Sequence, residues 1–327
     1  MKRRFVLAGL IGASGGVLPG AVLHAQPRPA LVVVLIHGKE SALRNRLDGF
    51  GEGMRELGYV EGRNYIIEVR WSDNQVDRLP ALARELMARK PDLAIASPVL
   101  AAQALQREST TVPIVIASGA GAQRLGLIAS LGRPGGNVTG IENQLDELAA
   151  KQVEFLKEIA PQARRVMTLS SGLGAAEPDV RQGSRNAARA YGMSLVEALA
   201  DGPAKLAQVA ATLERETCDG LVVLLDPNMS SMRTEVIAVA ARLRLPAIYP
   251  ALEFAEDGGL LVYSTDARAL FRRAASYADR IFKGARPADL PVERPTRFQL
   301  VINLKTARSQ GIKIPQAVLV RADRLIE

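Results

Sequence analysis

Arg133-Pro134-Gly135-Gly136-Asn137-Val138-Thr139-Gly140-Ile141-Glu142-Asn143 divides the chain into two stretches that share one rhythm. Proline has no amide donor and glycine carries excess backbone entropy, so Pro134-Gly135-Gly136 cannot continue a helix. Behind it, Val138 and Ile141 are β-branched and suit a short extended segment. A series of alternating strands and helices precedes the stretch and a second series follows it. That is the pattern of a crossover between two similar lobes, with a cleft for a small molecule between them.

Working back from the crossover, Leu31 to Ile36 is a continuous apolar run of strand length, as expected of a parallel strand buried on both faces. A helix from about Leu43 to Leu57 stops at Gly58. Tyr65 to Trp71 alternates as a strand, and Arg78 to Arg89 reads as a helix. Leu93 to Ala96 is a third strand, with Ser97-Pro98 opening the next helix. Pro113 to Ala117 makes a fourth strand, and Gln123 to Leu131 is expected as a short helix.

Forward from the crossover, helices are expected over Asp146 to Ile159, Pro178 to Tyr191, Ala204 to Glu216 and Ser230 to Leu243. Between and after them lie the strands Arg165 to Leu169, Ser194 to Ala198, Leu221 to Leu225, Ala247 to Tyr249 and Leu260 to Tyr263. Alternation of this kind predicts an α/β protein with two doubly wound parallel sheets. Ala267 to Lys283 is a strongly amphipathic helix; Pro287, Pro291 and Pro295 then mark an extended connection to a strand at Phe298 to Ile302. This tail is expected to recross between the lobes. The first lobe is then residues 27–140 with about 266–285, and the second is 141–265 with about 286–327.

The first 25 residues differ in kind. Lys2, Arg3 and Arg4 precede the apolar, glycine-rich run Phe5 to Leu23, and small Ala25 precedes Gln26-Pro27. This reads as an export signal cleaved near Ala25, and the paired arginines also suit the twin-arginine route. Its removal would lower the formal charge from +8 to +5. With 34 acidic residues interspersed and only 4% aromatics, neither a cationic stripe nor stacking platforms for nucleic acid are expected. Cys218 is the only cysteine, so no intrachain disulfide can form and no lipid-anchor cysteine follows the signal.

Catalysis finds little support. His37 is the only histidine beyond the signal and no Gly-x-Ser-x-Gly elbow accompanies it. The histidine and cysteine counts exclude a metal site of either kind, and no cofactor is expected. Ser118-Gly119-Ala120-Gly121-Ala122-Gln123-Arg124 has the outline of a dinucleotide fingerprint, but Arg124 stands where a small residue is needed. In open α/β sheets ligands bind beyond the carboxyl ends of the strands. The first lobe there offers His37, Gly38, Lys39, Glu40, Ser97, Ser118 and Gly119. The second offers Ser170, Ser171, Asp226 and Asn228, with Glu253 beyond them and Asn143 at the crossover. Hydroxyls and amides could hold a carboxylate, and Asp226, Glu40 or Glu253 could accept from an amine or hydroxyl. Each has a plainer reading: Ser97 as a helix cap, Asp226 as a turn residue, Lys39 as a solvated charge, His37 as a polar loop residue.

Leu57-Gly58-Tyr59-Val60-Glu61-Gly62-Arg63-Asn64, Asp77-Arg78-Leu79-Pro80 and Ser130 to Gly140 carry a family resemblance. Gly258-Gly259-Leu260, Lys283 to Glu293 and Val301-Ile302-Asn303-Leu304-Lys305-Thr306-Ala307 extend it over the whole chain beyond the signal. The sequence resembles the periplasmic substrate-binding proteins of ABC-type importers, the group that includes tryptophan/tyrosine-binding lipoproteins. The resemblance implies a type I periplasmic-binding fold with a hinge, here expected at Gly140, Ile141, Ser264 and Thr265. It also implies a periplasmic, monomeric receptor that captures a small solute, an amino acid or other small carboxylate or aromatic acid, for a membrane permease. Two departures stand out. Relatives commonly carry Asp-Pro-Val where this chain has Gly121-Ala122-Gln123, and an arginine where it has Leu252. An exported sensor that signals to a membrane kinase, and a nucleotide-dependent enzyme, are the alternative readings.

Overall fold

The computed structural model describes residues 28–173, 177–215 and 218–327. The expected export segment lies outside them.

The first lobe is built from β1 (Ala30–Ile36), α1 (Glu40–Glu56), β2 (Tyr65–Trp71), α2 (Leu79–Ala88), β3 (Leu93–Ser97), α3 (Val99–Glu108), β4 (Ile114–Ile116) and β5 (Val138–Gly140). Its sheet is entirely parallel in the order β2-β1-β3-β4-β5. The apolar run of β1 shows why this sheet sits between two helical layers. Val32, Val34 and Ile36 point into one cluster with Leu43, Phe50 and Phe271, while Val33 and Leu35 point into another with Leu79, Leu86 and Leu105. Each such side chain, fully buried, contributes on the order of 1.5–3 kcal/mol.

The second lobe contains α4 (Leu145–Ile159), β6 (Arg165–Ser170), α5 (Glu177–Ala190), β7 (Ser194–Leu199), α6 (Pro203–Arg215), β8 (Gly220–Val223), α7 (Pro227–Ser231), α8 (Arg233–Arg242), β9 (Ala247–Tyr249), α9 (Leu252–Glu256) and β10 (Leu261–Ser264). After α10 (Ala267–Phe282) come β11 (Gln299–Asn303), α11 (Leu304–Gln310), α12 (Gln316–Leu319) and β12 (Arg324–Ile326). The seven-stranded sheet runs β12-β11-β10-β9-β8-β6-β7. Its β6–β10 portion is parallel, whereas β11 pairs antiparallel with β10. Val222 and Ile248 face one apolar cluster, Leu221 and Val223 the other, as in the first lobe.

Although α10 follows a second-lobe strand, it packs on α1. Two glycines of α1 permit the approach: a Cβ on Gly49 would overlap the Arg268 carbonyl, and one on Gly53 the Arg272 carbonyl. Ion pairs Glu52–Arg268 and Glu56–Arg272 line the same seam, the latter at 2.6 Å.

Residues 287–293, which composition assigned to the second lobe, pack on the first. Leu290 and Val292 enter its two apolar clusters. Thr139 Oγ1 donates to the Leu290 carbonyl at 2.7 Å, and Tyr277 Oη to the Pro291 carbonyl at 2.8 Å. The prolines keep the segment extended, so its carbonyls are free to accept these bonds. Only after Glu293 does the chain cross, entering the second sheet at Gln299.

The helix expected over Gln123 to Leu131 is replaced by turns. Gly126 adopts φ +70°, and the Glu142 carboxylate takes the amides of Gly121 and Ala122, which diverts the backbone from a helical start.

Two of the three crossings lie side by side at the waist. Ile141 bridges Glu293, with Glu142 N donating to the Glu293 carbonyl at 2.9 Å and Glu293 N to the Gly140 carbonyl at 2.9 Å. Gly140 is at φ +131°, and a Cβ there would collide with the backbone of Ile116. Replacing Gly140 by alanine is therefore expected to cost about 2–3 kcal/mol, read as a lower urea midpoint.

Candidate functional site

The lobes enclose a cleft of about 390 Å³. It opens at the carboxyl ends of the parallel strands, where the chain turns from strand to helix. Three contacts span the lobes at its rim: Asn45 Nδ2 donates to Glu253 Oε1 at 3.1 Å, Ser231 Oγ to Asn74 Oδ1 at 3.3 Å, and Arg124 pairs with Asp179. The two halves are thus closed upon each other.

On the first-lobe side, His37 follows β1 and its Nδ1 meets Ser72 Oγ at 2.6 Å. Burial lowers its pKa, which keeps the ring neutral near physiological pH. Ser97, at the end of β3, donates from Oγ to the Ser118 carbonyl at 3.2 Å, and Pro98 rather than Ser97 occupies the cap position of α3. Asn143 ties this wall to the segments that cross between the lobes: its Nδ2 donates to Ser118 Oγ at 3.1 Å, its N to the Gly119 carbonyl at 2.7 Å, and Thr265 Oγ1 donates to its Oδ1 at 3.4 Å.

On the second-lobe side Asp226 is consumed as a structural acceptor. Oδ2 takes the Ser171 amide at 2.6 Å, while Oδ1 takes the amides of Asn228 and Met229 at 2.7 and 3.2 Å. It therefore caps α7 and pins the Ser171 loop. Leu145, Leu173, Val180, Leu225 and Leu252 supply apolar wall.

The cleft thus brings together His37, Ser97, Ser118, Gly119, Asn143, Ser171, Asp226, Glu253 and Thr265. Five expected residues stand outside its lining. Gly38 only makes the turn, at φ +143°, and because α1 begins at Glu40, Lys39 and Glu40 face solvent. Glu40 pairs there with Arg44 at 2.5 Å. Ser170 turns to Glu177 at 2.6 Å, and Asn228 Nδ2 to the Asp201 carbonyl at 3.5 Å.

Sequence reasoning missed Asn45 and Arg46, both on α1 and both lining the cleft. Arg46 shares the helix face of Leu43, Leu47, Phe50 and Met54 and is only 7% exposed. Burial lowers its pKa, opposed by the charge of Glu253. A cation at the three-residue spacing of an apolar face was the signal available.

Among the described residues no cluster of three His, Cys, Asp or Glu could hold a metal. The glycine turn at 118–124 lacks the following helix, and a Cβ on Gly119 would press on the Val99 amide at 2.8 Å. It packs against α3 rather than cradling a phosphate.

Replacing Asp226 by alanine strands three backbone donors and is expected to cost roughly 2–3 kcal/mol in urea denaturation. His37 has a folded pKa below its ordinary 6.5, so the unfolded chain takes up its proton first as pH falls. Stability should decline as pH falls through about 6.5, and His37→Gln should flatten the urea midpoint there.

A sequence model of the ABC transporter substrate binding protein family matches residues 31–326. A tyrosine-binding protein of Clostridioides difficile is 24% identical over 261 residues, spanning 80% of this chain and 75% of that protein. Among solved structures, a conserved domain protein from Vibrio cholerae is 26% identical with a TM-score of 0.85, over 91% of this chain and 100% of that one. An ABC domain from Streptococcus pneumoniae, in complex with L-Trp, is 25% identical with a TM-score of 0.84 over the same shares, 91% and 100%. With its two lobes arranged as a type I periplasmic-binding fold, the chain belongs to the ABC transporter substrate-binding protein family.

Proposed function

We propose that this protein is the periplasmic receptor of an ABC-type uptake system. It captures one small carboxylate-bearing solute, an amino acid or an aromatic acid, and delivers it to a membrane permease. The family supplies the coarser part of this reading: a substrate-binding protein with a small-molecule ligand and a permease partner. Export with cleavage near Ala25, and action as a monomer, complete it.

The observation that carries the finer part is the enclosed cleft itself. Its volume of about 390 Å³ lies at the small end of the range for ligand sites, which begins near 300 Å³. Hydroxyls and amides gather on the side of Ser97, Ser118 and Asn143, and apolar side chains on the side of Leu173, Val180 and Leu225. A solute with one polar head and one apolar body matches that division. The tyrosine-binding relative and the complex with L-Trp support such a class.

The test is thermal melting against a library of amino acids, aromatic acids and other small carboxylates, with sugars and polyamines alongside. A ligand at 100 times its dissociation constant adds about 2.7 kcal/mol, which in a chain of this size is a rise of roughly 5 °C. If no small solute raises the melting temperature, the receptor reading is wrong.

A further inference from the structure

Among the described residues, Arg46 is the one charged side chain of the cleft that no hydrogen bond or ion pair engages. Its Nε is fully enclosed without a partner. The acidic groups around it are otherwise occupied. Glu177 pairs with Arg181 at 3.0 Å and Glu256 with Arg324 at 3.3 Å. Asp226 holds three backbone amides, Asp266 caps α10 through the Ala269 amide at 3.0 Å, and Glu253 accepts from Asn45 at 3.1 Å. The other cation of the lining, Arg268, is neutralised by Glu52.

An arginine keeps its proton in any protein environment, and here the charge of Glu253 acts on it only through space, so burial leaves the guanidinium without a hydrogen-bonded counter-charge. A hydrophobic residue at the same place on α1 would avoid that cost, since Leu43, Leu47 and Phe50 around it are core residues. The guanidinium presents its donors as a planar fork that matches a carboxylate in bidentate geometry. A single unpaired positive charge balances a single negative one, which favours a carboxylate over a dianionic phosphate.

We propose that Arg46 anchors the solute, closing a bidentate ion pair on its carboxylate, and so restricts the receptor to acids. This deepens the receptor reading and rests on it. The neighbouring carboxylate, Glu253, accepts from Asn45 across the cleft and makes no hydrogen bond or ion pair with the guanidinium.

The test uses the whole protein and three acids, L-tyrosine, L-tryptophan and 3-phenylpropanoate, each beside its carboxamide, together with the library above. Binding is read by thermal shift, with titration calorimetry on the best acid. In the wild type the carboxamide of that acid should bind at least ~30-fold more weakly than the acid, the range seen when one partner of a buried charge pair is removed. Arg46→Met should weaken the acid by a similar factor and leave the carboxamide unchanged. Arg46→Lys should fall between, and ligand-free Arg46→Met should melt no lower than the wild type. The anchor is overturned, with the receptor reading intact, if acid and carboxamide bind the wild type equally or if the only stabilising solutes are neutral or cationic. Equal losses of acid and carboxamide in Arg46→Met, together with a lower ligand-free melting temperature, would make the residue structural and overturn it too. No stabilisation by any compound overturns both.

Discussion

Two separately packed cores are joined by only three passages of backbone, and everything the protein can do with a ligand depends on that economy. Each lobe completes its sheet and covers both faces with its own helices, so neither needs the other to bury its apolar surface. At the waist, Ile141 and Glu293 lie side by side in hydrogen-bonded contact. Gly140 lets the strand before them press on Ile116 without a side chain between. The backbone is held firmly in one lobe up to that point, and the change in direction falls on the few residues after it. Rotation of one rigid half against the other is the motion this arrangement allows at least cost.

The same layout explains why the cleft is electrostatically uneven. Loops at the carboxyl ends of parallel strands must satisfy many backbone amides, and carboxylates are suited to that task. Asp226, Asp266 and Glu142 are each spent on backbone donors. Their negative charge is therefore tied to the scaffold and contributes little to selecting a guest. Arg46 enters from a helix rather than a loop, where no carbonyl is free to accept from it, because each in the helix interior already serves an amide one turn on. Its isolation is thus a product of secondary structure as much as of the residues around it.

Most of the architecture was legible in the sequence for a simple reason. Parallel strands buried on both faces appear as unbroken apolar runs, and Leu31 to Ile36 or Leu221 to Val223 admit no other home. Turn chemistry marked a break in the helical pattern, since Pro134-Gly135-Gly136 cannot be helical, and the last strand of the first sheet follows it at Val138–Gly140. The segment after β4 misled because its apolar spacing suits a helix, while a carboxylate distant in sequence, Glu142, captured the amides that would have started one. Strand ends located His37, Ser97, Ser118, Ser171 and Glu253 at the cleft or beside it, but they could not say how far each helix begins from its strand. An earlier start to α1 sent Lys39 and Glu40 outward and brought Asn45 and Arg46 inward. Side-chain accounts such as the three amides on Asp226 depend on loops meeting from distant parts of the chain, which spacing alone does not encode.

Arg124 and Asp179 face each other across the rim and do not line the ligand chamber. Both are largely solvated, so their attraction weakens as dissolved ions accumulate around them. Whatever stability this clasp lends the shut form is lent whether or not a guest is inside. The balance between holding and letting go is consequently shifted a little by a feature that never touches the cargo. A stronger clasp would slow release at the permease and also shut the vacant receptor, whereas a weaker one favours prompt unloading at some cost in capture.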